Sequence, residues 1–474
     1  MSYYAIVTQL KDVRPHPNAD RLQLATVFGN TICVDLTYTE GQLGVYFPTG
    51  GQLSVAFAET NNLLRKKDAE GNNIGGYMDP DKRNVTAIKL RGEKSDGLFL
   101  PLTCLETFGD ITNLKPGDRI DLFNGTEICT KYIPKTQHRR GGYSDGNRTR
   151  KTKAPLAPLF AEHADTEQLA YNLGAFQIGD ELEFTLKMHG TSQRTGHLKV
   201  LKGYNRTIWD RIFRRPGKPI YDWGYVSGTR RVVLDSFDGG FYGSNEFREQ
   251  HHNTFVGKLW KGETVYYEVV GFTHTGASIM GSGNNEKLGK DFVKQYGKET
   301  VFSYGCSPIS HATVVDQSYD NGFAEYVPTG PQSDIYVYRM TMTNEDGDVA
   351  EYTPDFMRYR CEQMGIKCVP VFCKAAIDVE GIYVYSPDSE LYGYAHTGDC
   401  VGNTVVEIAE KYYAGPDPIG KTHIREGVVV RILNRPKFCA YKHKNFEFKV
   451  LEGIISEKLV ESSADIAEDV LAEM

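Results

Sequence analysis

The sequence predicts an α+β multidomain chain: an N-terminal β-barrel followed by a larger α+β domain. Three observations carry this expectation. The 474 residues exceed what one ordinary core organises, so two or three domains are expected. Residues 1–133 read as short β-branched and aromatic segments broken by turn signals. A basic, glycine-rich stretch then interrupts the apolar pattern, before strands alternating with helical or loop segments resume.

In chain order, YYAIVTQL, LQLATVF, TICVDLTY, LGVYFP, VTAIKL, GLFLPL and RIDLF are strand-like. They are separated by turns such as HPNAD, TEGQ and KPGD. Five to seven short strands in this length suit a small barrel, with the OB-fold as the natural candidate. VRPHPNADRLQLATVFG, KLRGEKSDGLFLPL and LKPGDRIDL together resemble the OB-fold tRNA-binding modules appended to some aminoacyl-tRNA synthetases. That resemblance implies an oligonucleotide-binding barrel over residues 1–133.

Residues 134–155 are poor in apolar side chains and read as a basic flexible linker. From Lys131 to Lys153 there are eight Lys or Arg and one acid, Asp145. A second basic cluster, Lys199 to Lys218, includes Arg206, Arg211, Arg214 and Arg215, with Trp209 and Phe213 between them. Although the net charge is −7, segregated charge of this kind leaves room for a basic face toward nucleic acid.

The larger domain spans 156–452. HADTEQLAYNLGAF reads as a helix capped by Asp165 or Thr166. The 271–335 interval, with GASIMGSGNNEKLG, reads as a surface loop or inserted subdomain. Residues 453–474 place Ile455, Leu459, Ile466 and Val470 at helical spacing among acids, an acidic C-terminal helix. The nine cysteines contain no CxxC pair, which fits reduced thiols, and Cys361, Cys368 and Cys373 read as core residues. MSYYAIVTQLKDV lacks a secretory pattern and no apolar run approaches a membrane span, so an intracellular, cytoplasmic location is expected. A GxGxxG between strand and helix is absent, which argues against a Rossmann-type dinucleotide enzyme.

The chemistry begins at FTLKMHGTSQRTG, where Lys187 ends an alternating strand beside His189, Gly190 and small hydroxyl residues. Phe184, Leu186 and Met188 point to one face, Thr185 and Lys187 to the other. A free lysine has a pKa of ~10.4 and is a poor nucleophile until cations or desolvation lower it. An enzyme using it needs phosphate-binding cations and carboxylates, and candidates follow in order. Arg230 and Arg231 follow Ser-Gly-Thr. Glu268 sits in an apolar strand, and Tyr338 offers a stacking surface. Glu426 precedes a Val-rich strand, and Lys442 and Lys444 share one side of another.

This ordered set resembles the covalent nucleotidyltransferase superfamily of polynucleotide ligases and RNA capping enzymes. Lys187-Met188-His189-Gly190 is similar to the Lys-x-His-Gly motif of an RNA-ligase branch, HIREGVVVR to its fourth motif and AYKHKNF to its last. A leading OB module is similar to a small group of RNA ligases. The resemblance implies a nucleotidyltransferase (adenylyltransferase) domain on antiparallel sheets and an ATP-dependent RNA ligase joining 3′-OH and 5′-phosphate ends. It implies that Lys187 becomes a lysyl-AMP adduct, with Gly190 in the cofactor site and His189 serving later transfer steps. Glu268 would contact the ribose and Arg230 the sugar or incoming phosphate. Tyr338 rather than Tyr336 would stack on adenine. Glu426 would hold Mg2+ or Mn2+, and Lys442 and Lys444 would grip the α-phosphate. The implied partner is a nicked or broken RNA, tRNA or an RNA–DNA hybrid included, with the chain acting as a monomer. Two other readings stay open: a GTP-using capping-type guanylyltransferase, and a catalytically silent nucleic-acid-binding protein.

Overall fold

The computed structural model describes residues 3–66, 76, 78–132, 154–164, 166–213, 217–237, 245–308, 313–316, 325–327, 331–385, 393–395 and 401–459. The expected linker therefore lies almost wholly outside the described residues, as do Asp165 and the acidic tail beyond Leu459. The chain divides into two compact units: Met1–Lys135 with Phe446–Val460, and Thr136–Asn445 with Glu461–Met474. The whole is a mixed α/β fold with many antiparallel sheets, and no sheet closes on itself among the described residues.

The first unit holds a four-stranded antiparallel sheet ordered Arg119–Ile120, Ala5–Gln9, Leu43–Phe47, Leu98–Pro101. A three-stranded sheet is formed by Lys11–Pro15, Leu22–Val27 and Asn30–Asp35. Each strand-like segment named above carries a strand, and the inward residues Ala5, Val7, Val45, Phe47 and Leu100 form one core with Leu53 and Phe57. The HPNAD turn is anchored by its own side chains: buried His16 brings Nε2 within 3.1 Å of the Leu90 carbonyl, and Asn18 Nδ2 donates to the Arg91 carbonyl at 3.1 Å. Two stretches far apart in sequence thus meet at one turn.

The second unit is built from two larger sheets. Its main strands are β1 (Glu181–Lys187), β2 (Thr191–Asn205), β3 (Lys218–Gly228), β4 (Glu263–Gly271), β5 (Ser333–Thr343), β6 (Val371–Ile377), β7 (Gly427–Ile432) and β8 (Cys439–Lys444). The seven-stranded sheet runs Glu167–Gln168, β8, β7, β1, β6, Ile382–Val384, Gly393–Ala395. The six-stranded sheet runs Val233–Leu234, β3, β2, β4, β5, Val349–Glu351. Helix α1 (Pro354–Met364) starts at a Thr353 cap and ends at left-handed Gly365 (φ 70°). Helix α2 (Val401–Tyr413) lays Val405, Ile408 and Ala409 against Leu182, Phe184, Val428, Val430 and Ile432. That packing fixes the orientation of β1: its apolar face meets α2, and its other face is left for polar groups.

Sequence and structure differ at HADTEQLAYNLGAF. The segment forms a short strand, Glu167–Gln168, and two 3₁₀ turns, Leu169–Tyr171 and Leu173–Ala175, instead of an α-helix. Asn172, at φ −128° and ψ 32°, leaves helical geometry between the turns, and Glu167–Gln168 pairs in parallel with β8. Sheet pairing outweighs local helix preference there. The 271–335 interval contributes Gly283–Asn284 paired with Glu299–Thr300, plus the helix Lys290–Tyr296. The terminal helix α3 (Phe446–Leu459) begins directly after β8 and its described part belongs to the first unit. All eight described cysteines are free, with Cys361 and Cys373 buried and Cys368 partly so.

Candidate active site

Lys187 ends β1, the central strand of the seven-stranded sheet, and β7 lies between β1 and β8. The antiparallel register aligns Lys187 with Gly427 and Gly427 with Lys444, and one row deeper Thr185 with Val429 and Val429 with Lys442. Cross-strand partners share a sheet face, so the three lysines stand together on the face turned away from α2. Like charges at this spacing repel and need a counter-charge. Glu426, the residue before β7, supplies one: its Oε1 lies 2.7 Å from Lys187 Nζ and 3.2 Å from Lys444 Nζ, with its side chain only 2% exposed. Burial alone would raise the Glu426 pKa, but Lys187 and Lys444, aided by His189, hold it well below the usual carboxylate range. Lys442 has the opposite balance. Burial and the cations Lys444, Lys187 and Arg230 push its ammonium down to about 7.

The turn from β1 to β2 carries His189 and Gly190. A Cβ on Gly190 would lie 2.5 Å from the Val269 carbonyl oxygen and 2.8 Å from Glu268 Cγ, so only glycine allows this approach to β4. Gly427 is required for a similar reason, with a Cβ 2.1 Å from the His443 carbonyl oxygen. The His189 N–H donates to Tyr304 Oη at 2.8 Å, and its Nδ1 lies 3.5 Å from Glu426 Oε2. At the start of β2, Arg248 donates to Thr191 Oγ1 at 2.7 Å and to the Ser192 carbonyl at 3.1 Å, fixing the exit from the turn.

The six-stranded sheet supplies the facing groups. Ser192 pairs with Glu268 and Glu268 with Tyr336, while Tyr338 occupies the irregularity where Tyr266 pairs with Arg339 and Tyr267 with Val337. Glu268 is the half-buried residue of an otherwise buried β4. Tyr338 Oη lies 3.1 Å from Ser192 Oγ, and its pKa is raised by burial and by Glu268. Tyr336 instead turns its hydroxyl to Asp334 at 3.2 Å. Of the two neighbouring arginines, Arg230 is the one whose charge acts on Lys442, on Tyr338 and on half-buried His163.

The structure therefore gathers Lys187, His189, Gly190, Arg230, Glu268, Tyr338, Glu426, Lys442 and Lys444 into one electrostatically connected cluster. Several participants carried no sequence signal. Tyr304 comes from the 271–335 interval, at a left-handed φ of 49°, and packs on His423 at 4.4 Å. His163 sits against Tyr338 at 5.0 Å and Phe438 at 5.5 Å, with Arg339 stacked on the same Phe438 ring at 4.8 Å. Burial and Arg339 keep His163 neutral, well below its ordinary pKa. A Ser-Tyr-Gly tripeptide or an isolated His has too many structural uses to mark a site.

Among the described residues no group of three or more His, Cys, Asp or Glu side chains converges to hold a metal by itself. A hard divalent cation such as Mg2+ is bound through one or two carboxylates, with water and phosphate completing the shell. The buried, ionised carboxylate of Glu426 fits that donor chemistry.

No family model and no curated protein sequence matches the chain. Solved structures do. An RNA ligase of Naegleria gruberi, determined as a lysine variant with ATP and manganese, matches at a TM-score of 0.50 and 15% identity, covering 95% of this chain and 98% of that one. A second lysine variant of that ligase, with AMP and manganese, matches at 0.50 and 15%, covering 94% and 97%. A ligand-free variant matches at 0.51 and 16%, covering 94% and 97%. The chain shares its fold with these RNA ligase structures. The likeness runs through both units and includes the sheets that carry the lysine cluster.

Proposed function

We propose that the protein is an ATP-dependent RNA ligase that joins a 3′-OH to a 5′-phosphate through a lysyl-AMP intermediate. The observation that carries this reading is the ammonium of Lys187 held on buried Glu426, with Lys442 and Lys444 in register on the same face. Lys187 Nζ gives up its ammonium proton to solvent, attacks the α-phosphorus of ATP as the neutral amine, and loses a second proton to solvent as the phosphoramidate forms. A phosphorus–nitrogen bond forms, the bond to the β-phosphate oxygen breaks, and pyrophosphate leaves. Lys442 and Lys444 stabilise negative charge growing on the α-phosphate oxygens, and Arg230 binds the sugar or incoming phosphate. Glu268 contacts the ribose, Tyr338 stacks on adenine, and Gly190 lets the turn approach the nucleotide. Glu426 holds Mg2+ or Mn2+, which supplies further neutralisation of phosphate charge. His189 acts in the later steps, when AMP passes to the RNA 5′-phosphate and the 3′-hydroxyl displaces it. The N-terminal unit, read as an OB-type module, holds the RNA strand. The RNA ligase fold supports this assignment.

The deciding experiment incubates the full chain with α-labelled ATP and Mg2+ or Mn2+. The expected product is a covalent protein–AMP, reversed by pyrophosphate and absent in Lys187→Ala. Label from GTP alone would replace this reading with a capping-type guanylyltransferase. Absence of label with either nucleotide would leave a binding protein.

A further inference from the structure

The second basic cluster is not used by the chemistry above, and the structure gives it a form. Strand β2 pairs with β4 only over Thr191–Gly196, and β3 pairs with Val233–Leu234 only at Ser227 and Gly228. Beyond those points β2 and β3 continue as a two-stranded ribbon that ends in the short helix Ile208–Ile212. Ile208, Trp209, Ile212 and Phe213 are 75, 67, 61 and 60% exposed, an unusual concentration of large apolar side chains in one place. At the short helix Thr207 and Asp210 cap each other, with Thr207 N donating to Asp210 Oδ2 at 2.9 Å, and the Trp209 and Phe213 rings are stacked at 6.1 Å and 18°. Cations flank these rings. Arg206 and Lys218 are exposed at the end of the paired strands, while further down the ribbon Lys202 lies over Gly224 and Lys199 packs its ammonium over Trp223 at 4.6 Å.

We infer that the end of the β2–β3 ribbon is a binding site for an unpaired RNA strand, with Trp209 and Phe213 stacking on bases and Arg206 and Lys218 pairing with phosphates. Rings interleaved with exposed cations match a polyanion that also presents flat apolar faces. A purely apolar protein partner offers no counter-charge to the positive side chains along the ribbon. The inference rests on the RNA-joining reading and gives it a strand-holding surface outside the lysine cluster.

The test measures binding of a short labelled single-stranded oligoribonucleotide to the full chain, with self-adenylylation followed in parallel. Trp209→Ala/Phe213→Ala should weaken RNA binding about a hundredfold, since each of the two stacked bases contributes on the order of tenfold. Arg206→Gln/Lys218→Gln should weaken it and lower the salt dependence by about one to two phosphate contacts. Both variants should self-adenylylate like the parent. Unchanged RNA affinity in both would overturn the inference while leaving the ligase reading intact. So would a variant that retains RNA affinity but loses self-association or capture by anionic phospholipid vesicles. A parent chain that takes no label from ATP would instead remove the ligase reading.

Discussion

At the scale of single residues, the site is organised by a surplus of positive charge around Lys442, which the proposed nucleotide phosphates would relieve. Lys442 is depressed to about 7 by burial and by three cations. In the unfolded chain it titrates near ~10.4, so between pH 7 and 10 the unfolded state binds the extra proton, and stability rises with pH across that window. Lys442→Met should flatten that rise, measured by urea unfolding at pH 7 and 9. Placing a triphosphate beside Lys442 restores the proton. ATP binding at pH 8 should therefore take up close to one proton, read by calorimetry in buffers of different ionisation enthalpy, and the uptake should vanish in Lys442→Met. Tyr304 gives a separate prediction. Its hydroxyl accepts the His189 N–H, so Tyr304→Phe strands a backbone donor at a cost of about 1–3 kcal/mol. Self-adenylylation should slow about tenfold, because the loss displaces the turn that brings Gly190 to the nucleotide beside Lys187. The motif residues were legible in sequence because they occur together in a fixed order, each in a strand context, although Glu268, Tyr338 and Lys442 taken singly stand inside strands where bland uses are many. Tyr304 and His163 were not, since a buried aromatic or neutral histidine looks the same in sequence whether it packs a core or orders a site.

At the scale of elements, the strand that carries Lys187 shows what alternation does and does not reveal. Phe184 and Leu186 face the α2 layer as read from the pattern, but Glu183 and Thr185 are buried too. The second burial arises because the other sheet covers that face, with Arg358 of α1 reaching Glu183 Oε2 at 2.7 Å. Sequence periodicity sees one apolar face; it cannot see that the polar face is covered by a partner far along the chain. The same limit explains the HADTEQLAYNLGAF segment, whose helical spacing yields to pairing of Glu167–Gln168 with β8. Because β1 is anchored from behind by α2, its position depends on that core. Phe184→Ala should cost about 3–5 kcal/mol in urea unfolding. Labelling by ATP should fall only as far as the folded fraction falls, since the lysine face remains intact in molecules that fold.

At the scale of the whole molecule, the chain order places the last strand of the site directly before a helix that belongs to the other unit. Asn445 ends the second unit, its N–H donating to the Glu426 carbonyl at 2.8 Å, and Phe446 opens α3. Within the first unit α3 packs on the strand Ala87–Leu90, with Phe448 and Leu451 fully buried. Lys449 reaches Asp96 at 2.5 Å and Lys94 reaches Glu447 at 2.9 Å. Helical spacing in the terminal sequence reads as a helix over 453–474, whereas α3 already begins at Phe446, inside the span read as the larger domain, and residues beyond Leu459 lie outside the described ones. Truncation tests must respect this. Deleting residues 1–133 alone strips the partner from Phe446, Phe448 and Leu451, leaving an exposed apolar stripe. That product should aggregate on gel filtration. A chain of residues 136–445 removes the stripe as well, keeps every residue of the lysine cluster, and should stay monodisperse and take label from ATP. Sealing of nicked RNA by the same chain should fall at least tenfold, because the N-terminal unit proposed to hold the strand is gone and only the β2–β3 ribbon is left to grip it. Full sealing by 136–445 would assign RNA binding to the second unit alone, and loss of labelling in a monodisperse 136–445 would mean that nucleotide transfer requires both units.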